Sequence, residues 1–258
     1  MSEIKLGIIG GGQLGSMLSE AARKLNIKTI IYCDDSNAPA KNFCDDFIYA
    51  EYNNKDKIYE FAKKVDVITY EFENIPYETL NELNKLKPVK PKPSVNRLIQ
   101  HRLAEKDFIN KLNIRTTRYV QVNNKEDLLP LNDFLPGILK TTTLGYDGKG
   151  QYPIKKMDEI DSLNINFNNE YILEKLVRLK KEISVVITRF DNHKYEIYEP
   201  IENFHKEQIL RNSKIPAEIS EKIFEQSKEW AVLIAEELKY VGTLCVEFFI
   251  DRNDNLYV

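Results

Sequence analysis

Glycine is scarce in this chain, with ten in 258 residues, and cysteine, histidine and tryptophan are scarcer still at three, three and one. Cys33, Cys44 and Cys245 are odd in number and share no metal-ligand spacing, so they read as reduced intracellular thiols. His101, His193 and His205 are scattered, which argues against a His/Cys metal centre. No apolar run approaches the roughly 18 residues that a membrane-spanning helix needs. Glu3 and Lys5 break the apolar stretch that a signal peptide would require. Neither sign of charge dominates: 37 basic residues face 40 acidic ones, a net charge of −3. That balance lacks the basic footprint of a nucleic-acid-binding domain. A cytoplasmic protein with neither membrane nor nucleic-acid partners is therefore expected.

Eight of the ten glycines fall in two short clusters. The first is Leu6-Gly-Ile-Ile-Gly-Gly-Gly-Gln-Leu-Gly15, and the second is Gly145-Tyr-Asp-Gly-Lys-Gly-Gln151. Glycine concentrated this way marks positive φ, or backbone N–H groups brought close to a ligand that is often a phosphate. Two such loops suggest a site for phosphorylated molecules.

Residues 1 to about 92 alternate strand and helix signals, with strands over 5–9, 28–32 and 65–70 and helices over 16–25, 56–63 and 77–85. Such alternation predicts a parallel sheet covered on both faces. Lys87-Pro-Val-Lys-Pro-Lys-Pro93 then stops regular structure, because three prolines fall within seven residues. A domain boundary is expected there. Beyond it the pattern predicts a helix over 94–112, a strand over 119–122, and a hairpin from 137 to 154 with the second glycine cluster at its tip. Strands follow over 171–177, 183–190 and 195–201. A long amphipathic helix over 217–238 and a strand over 243–251 complete the reading.

Gly10, Gly12 and Gly15 spell G-x-G-x-x-G between a strand and a helix, with Asp34 at the end of the second strand. This is the spacing of a dinucleotide-binding fingerprint, so an NAD(P)-dependent oxidoreductase is one reading. A structural turn, or a loop for another anion, is the other. The second cluster is not a GxxxxGK[ST] loop, since no Ser or Thr follows a Gly-Lys pair. A glycine-rich hairpin can fold over polyphosphate while Lys140 and Lys149 supply charge. Glu247 lies inside the apolar run Leu244-Cys-Val-Glu-Phe-Phe-Ile250. A carboxylate buried there would need a partner, and Mg²⁺ bridging nucleotide phosphates is one that fits. The alternative is two-residue alternation, with Glu247 on a solvent face. Glu174, Lys175 and Glu182 could bind an adenine edge and a ribose diol, or could be ordinary strand-edge charges.

Taken in order, several stretches resemble the ATP-grasp superfamily and, within it, the 5-(carboxyamino)imidazole ribonucleotide synthases. They are Gly10-Gly-Gly-Gln-Leu-Gly15, Gln100-His-Arg-Leu-Ala-Glu-Lys106, Lys140 with Gly145 to Gln151, Leu173-Glu-Lys-Leu-Val177, Glu182, Glu202-Asn-Phe-His205 with Ile209-Leu-Arg211, and Val246-Glu-Phe248. They span nearly the whole chain.

The resemblance implies an α/β chain. A Rossmann-like pre-ATP-grasp domain would cover 1–92, a small ATP-grasp subdomain with the glycine-rich lid 93–177, and a large, incomplete subdomain 178–258. It implies ATP-dependent carboxylation of aminoimidazole ribonucleotide with bicarbonate, in a homodimer. Arg102, Lys140 and the loop Gly145, Gly148, Gly150 and Gln151 would hold the phosphates. Glu174, Lys175, Leu176 and Val177 would hold the adenine through backbone groups. Glu182 would take the ribose, His205 would lie near the nucleotide, and Glu247 would ligate Mg²⁺. Tyr146, Asp147 and Lys149 would face the aminoimidazole substrate and bicarbonate. Gly12, Gln13, Leu14 and Glu73 would line the substrate site, which gives the first loop a role other than NAD binding.

The chain departs from the family pattern at Leu144, where a glycine is usual, at His101, where an acid is usual, and at Glu207-Gln208, where Asp-Gly is usual. The family's next segment carries a second Mg²⁺ ligand and a basic phosphate site beyond position 258. The 258-residue chain alone is therefore expected to bind ATP·Mg²⁺ weakly and to turn over little.

Overall fold

The computed structural model describes residues 4–144, 150–206 and 209–258. The chain divides into two compact units, Met1–Leu98 and Ile99–Val258. Among the described residues no helix is long and apolar enough to cross a membrane.

The first unit is built on β1 (Lys5–Ile9), α1 (Gln13–Lys24), β2 (Lys28–Cys33), β3 (Asp46–Tyr49), α2 (Lys55–Lys64), β4 (Val67–Tyr70), α3 (Tyr77–Leu86) and α4 (Pro93–Ile99). Its four strands are parallel in the order β3-β2-β1-β4. Strand side chains alternate between faces, so β1 sends Ile8 into one apolar cluster and Ile9 into another. Ile9 shares its cluster with Phe61 of α2 and Leu80 and Leu83 of α3. Ile8 joins Ile31, Cys33, Ala38 and Ala40. Both faces are thus covered, as a parallel sheet requires. Helix α2 begins where the Asn54 side chain accepts the Lys57 N–H at 3.1 Å, and it ends on Lys63 and Lys64 at the negative end of its dipole.

The proline segment packs along the sheet, and the first unit continues past it to Leu98. Ile68 N–H donates to Pro88 O at 2.9 Å and Lys90 N–H donates to Ile68 O at 2.8 Å, so the segment lies along the free edge of β4. Strand β3 is absent from the sequence-based reading. The expected helix over 94–112 is two helices, interrupted at Gln100-His101.

The second unit contains α5 (Arg102–Lys111), β5 (Tyr119–Val122), β6 (Gly137–Thr141), β7 (Gln151–Ile154), β8 (Tyr171–Lys175), β9 (Leu179–Arg189), β10 (Tyr195–Ile197), β11 (Ile201–Lys206), β12 (Ile209–Lys214), α6 (Glu221–Glu237), β13 (Gly242–Asp251) and β14 (Leu256–Tyr257). A four-stranded antiparallel sheet runs β5-β8-β6-β7. A second antiparallel sheet runs β12-β11-β9-β13-β14, with β10 also paired to β9. Helix α6 starts later than its apolar period suggested. The Ser220 hydroxyl caps it by accepting the Ile223 N–H, which leaves Ile219 outside.

Alternation decides which face of each sheet stays polar. Tyr171 and Leu173 of β8 and Leu139 of β6 enter one apolar core, which puts Glu174 and Lys140 on the opposite face. In the larger sheet Ile183, Val185, Val246, Phe248 and Ile250 are buried. Trp230 of α6 packs on Phe248 with ring centroids 6.4 Å apart. Glu182, Ser184 and Glu247 therefore belong to the face away from those residues.

Candidate active site

Glu174 is the centre of the polar face of the smaller sheet. Its side chain is 8% exposed, receives two hydrogen bonds and faces a second ammonium. Lys140 Nζ lies 3.0 Å from Oε2, Thr117 Oγ1 donates to Oε2 at 3.1 Å, and Lys106 Nζ lies 3.6 Å from Oε1. Lys106 also donates to Thr117 Oγ1 at 2.9 Å and covers the Tyr119 ring. Burial by itself raises the Glu174 carboxyl. The charges of Lys106 and Lys140, with the hydrogen bonds from Lys140 and Thr117, outweigh it and hold the group below the ordinary carboxylate value. Burial pushes the Lys106 ammonium down, against the pull of Glu174.

Helix α5 presents Arg102, Glu105 and Lys106 at i, i+3 and i+4, one side of a helix. Its start is tied to the end of β6, because Arg102 N–H donates to Thr142 O at 2.8 Å and Arg102 Nε donates to Thr141 O at 3.1 Å. His101 caps α5 by accepting the Ala104 N–H on Nδ1 at 3.4 Å, the service an acid at that position would give. Glu105 lies in the field of carboxylates from both sheets. Burial raises its carboxyl, Arg102 and Lys106 lower it, and Glu174 and Glu247 raise it further.

The described stems of the hairpin, β6 and β7, adjoin this cluster through Lys140. Gly150 has φ +68°, and a Cβ there would sit 2.6 Å from Thr141 Oγ1. Gln151 pairs with Lys140 across β6 and β7. Leu144 holds the left-handed conformation at φ +57°, a region that favours glycine. Gly145, Tyr146, Asp147, Gly148 and Lys149 lie outside the described residues, as do Glu207 and Gln208.

On the larger sheet, His205 Nδ1 lies 2.7 Å from Glu182 Oε2. A β-bulge between Phe204 and His205 re-aims that strand. Glu247 pairs in register with Ser184 and is exposed. The burial inferred from its apolar neighbours is therefore wrong. Strand β13 alternates, so Val246 and Phe248 go inward while Glu247 goes outward. Among the described residues no three His, Cys, Asp or Glu side chains gather as a metal cluster. At the end of β8, Lys175 Nζ turns away to Asp133 O at 2.6 Å, and the Leu176 N–H donates to Pro136 O at 3.0 Å.

The first glycine loop carries its own carboxylate. Gly12 N–H donates to Glu71 Oε1 at 2.8 Å, and Gly10, at φ +99°, packs against the same side chain. A pyrophosphate at this helix start would meet a negative charge already in place, contrary to the dinucleotide reading. Gln13 and Leu14 are exposed at the first turn of α1. Glu73 is exposed in the loop after β4, with Asn74 Nδ2 3.5 Å from its Oε1. The sequence reading missed Glu71 and Lys106. Lys106 was visible only as the last residue of the stretch Gln100 to Lys106, and Glu71 gave no local signal, because the Gly12 that it binds lies 59 residues away.

A parallel-sheet unit followed by two antiparallel sheets, with Lys106 and Lys140 gathered on Glu174 beside the strand that leads into the glycine-rich segment, defines an ATP-grasp enzyme. The ATP-grasp domain family matches residues 107–258, and the ribonucleotide synthetase preATP-grasp domain matches residues 3–100. The N5-carboxyaminoimidazole ribonucleotide synthase of Staphylococcus epidermidis is 37% identical over 257 residues, covering 98% of this chain and 68% of that protein. An N5-carboxyaminoimidazole ribonucleotide synthetase solved with ADP superposes with a TM-score of 0.93 at 36% identity, over 100% of this chain and 70% of that one. The Aspergillus clavatus synthase, solved with ADP and 5-aminoimidazole ribonucleotide, gives a TM-score of 0.86 at 25% identity, over 99% and 68% of the two chains. This chain belongs to the N5-carboxyaminoimidazole ribonucleotide synthase family and is an ATP-grasp ligase.

Proposed function

We infer that this protein carries out the ATP-dependent carboxylation of 5-aminoimidazole ribonucleotide by bicarbonate in purine biosynthesis, releasing ADP and phosphate. The observation that carries the reading is the Lys106–Glu174–Lys140 cluster at the base of the glycine hairpin, in a chain of this family. In outline, bicarbonate oxygen attacks the γ-phosphorus and ADP leaves. The carboxyphosphate so formed is captured by the substrate's amine, phosphate departs, and the amine loses a proton. Chemistry of this kind rests mainly on positioning and charge stabilisation.

Arg102, Lys140 and the hairpin from Gly145 through Gly148 and Gly150 to Gln151 take the phosphates. Arg102 is held beside the hairpin by its bonds to Thr141 and Thr142. The adenine edge meets the backbone at Lys175, Leu176 and Val177. The Lys175 and Leu176 N–H groups are already bonded to Arg118 O and Pro136 O, and the Val177 N–H has no acceptor among the described residues. Glu174 acts through its side chain, setting the lysines. Glu182 and His205 serve the ribose side as a pair. Tyr146, Asp147 and Lys149 face bicarbonate and the amine, while Gly12, Gln13, Leu14 and Glu73 line the ribonucleotide's side.

Glu247 would hold Mg²⁺. One or two carboxylates together with phosphate oxygens suffice for this ion, and an outward-facing carboxylate with no hydrogen-bond or ion-pair partner among the described residues fits that role. Bound there, it would neutralise charge on the phosphates. A cytoplasmic homodimer belongs to the same reading.

Labelled bicarbonate tests the proposal, with the protein in excess over 5-aminoimidazole ribonucleotide. Label is expected in an acid-labile product only when ATP is present. No transfer, or equal transfer onto unrelated amines, would overturn the proposal.

A further inference from the structure

Two ammonium groups share one carboxylate in this site, and their surroundings differ. Lys106 is bound on its protein side, to Thr117 Oγ1 at 2.9 Å and against the Tyr119 ring. Lys140 stands near the end of β6, just before the glycine hairpin. Thr117 accepts from Lys106 and donates to Glu174, which fixes the carboxylate relative to α5.

We propose that Lys106 is a positioning residue: the permanent counter-charge of Glu174, which frees Lys140 to exchange that carboxylate for a nucleotide phosphate. The inference rests on the nucleotide site proposed above. If Lys140 moved to a phosphate with no Lys106 present, Glu174 would be left buried without a counter-charge, its one remaining donor the Thr117 hydroxyl. An unpaired buried charge costs far more than a shared one. With Lys106 in place the carboxylate keeps one ammonium and one hydroxyl donor throughout. The charged groups facing Glu174 are Lys106 and Glu105 from α5 and Lys140 from β6.

The test is ADP affinity by calorimetry from pH 5 to 8, in the wild-type chain, Lys106→Met, Lys106→Arg and Lys106→Met/Glu174→Gln, with thermal melting to verify folding. Lys106→Met is expected to weaken ADP binding about tenfold or more at pH 8, the scale of a lost charged hydrogen-bond partner. Its deficit should shrink towards pH 5, because protonating Glu174 releases Lys140. Lys106→Arg should retain most of the affinity, and the double variant should recover most of what Lys106→Met lost. A packing role would lower affinity equally at every pH with no recovery in the double variant, and that result overturns the proposal. So does unchanged ADP affinity in Lys106→Met, while wild-type binding leaves the nucleotide site itself standing. Absence of ADP binding in the wild-type chain would overturn both. Should Lys106→Met fail to fold, the pH profile of Lys106→Arg against wild type decides: a matching profile supports the role, and a new acid-side rise in affinity contradicts it.

Discussion

Gly12 N–H donates to Glu71 Oε1 across 2.8 Å, joining the start of α1 to the residue that follows β4. The carboxylate meets the positive end of the α1 dipole and satisfies one of its free N–H groups. Replacing Glu71 by Ala should cost about 1 kcal/mol of stability, in the range of a lost helix cap. Glu71→Gln keeps an acceptor oxygen and should cost only a few tenths of a kcal/mol, the dipole contribution alone. Urea unfolding of the two variants checks the order, and equal losses would contradict it.

Gly150 combines two constraints, a φ of +68° and a Cβ position 2.6 Å from Thr141 Oγ1. Gly150→Ala is expected to destabilise by about 1–3 kcal/mol, as a forced left-handed residue does. Thr141→Ala removes the clashing hydroxyl and leaves the φ unchanged. The double variant should therefore recover part of the loss, as read by thermal melting. Full recovery would mean that φ carries no strain there.

The Glu174 carboxyl lies below its ordinary value because Lys106, Lys140 and Thr117 outweigh the effect of burial. A depressed folded value adds stability above the unfolded value, and that stability is lost as pH falls through the folded one. Wild type should thus exceed Glu174→Gln most at neutral pH, and the gap should narrow as pH falls below the ordinary carboxylate value of about 4.3. Urea unfolding from pH 3 to 7 measures the gap. A gap that widened in acid would contradict the charge network.

The parallel unit was legible because the strand and helix periods alternate, and Ile8, Ile31 and Phe61 lie where those periods put them. Strand β3 was not, since Asp46-Phe-Ile-Tyr49 is only four residues long and offers few apolar positions. The helix expected over 94–112 looked continuous because His101 does not break a helix by type, and only its cap geometry reveals the start of α5. Lys140 and the glycine hairpin could be read locally. Glu71 and Lys106 could not, because Gly12 lies 59 residues from the first and Glu174 lies in a different element from the second. Glu247 illustrates a choice between two local rules. Apolar neighbours suggested burial, while the two-residue alternation of a one-sided strand decided its exposure. Leu144 was marked by resemblance alone, and its φ of +57° supplies the physical reason that glycine suits the position.

The central claim is that the second unit holds a nucleotide through Lys140. Calorimetric titration of ADP into wild type and Lys140→Met, with NADH as the competing ligand, tests it most directly. The account predicts ADP binding by wild type, a loss of about tenfold or more in Lys140→Met, the scale of a charged hydrogen bond, and no binding of NADH by either. Unchanged ADP affinity in Lys140→Met, or NADH binding in place of ADP, would contradict it.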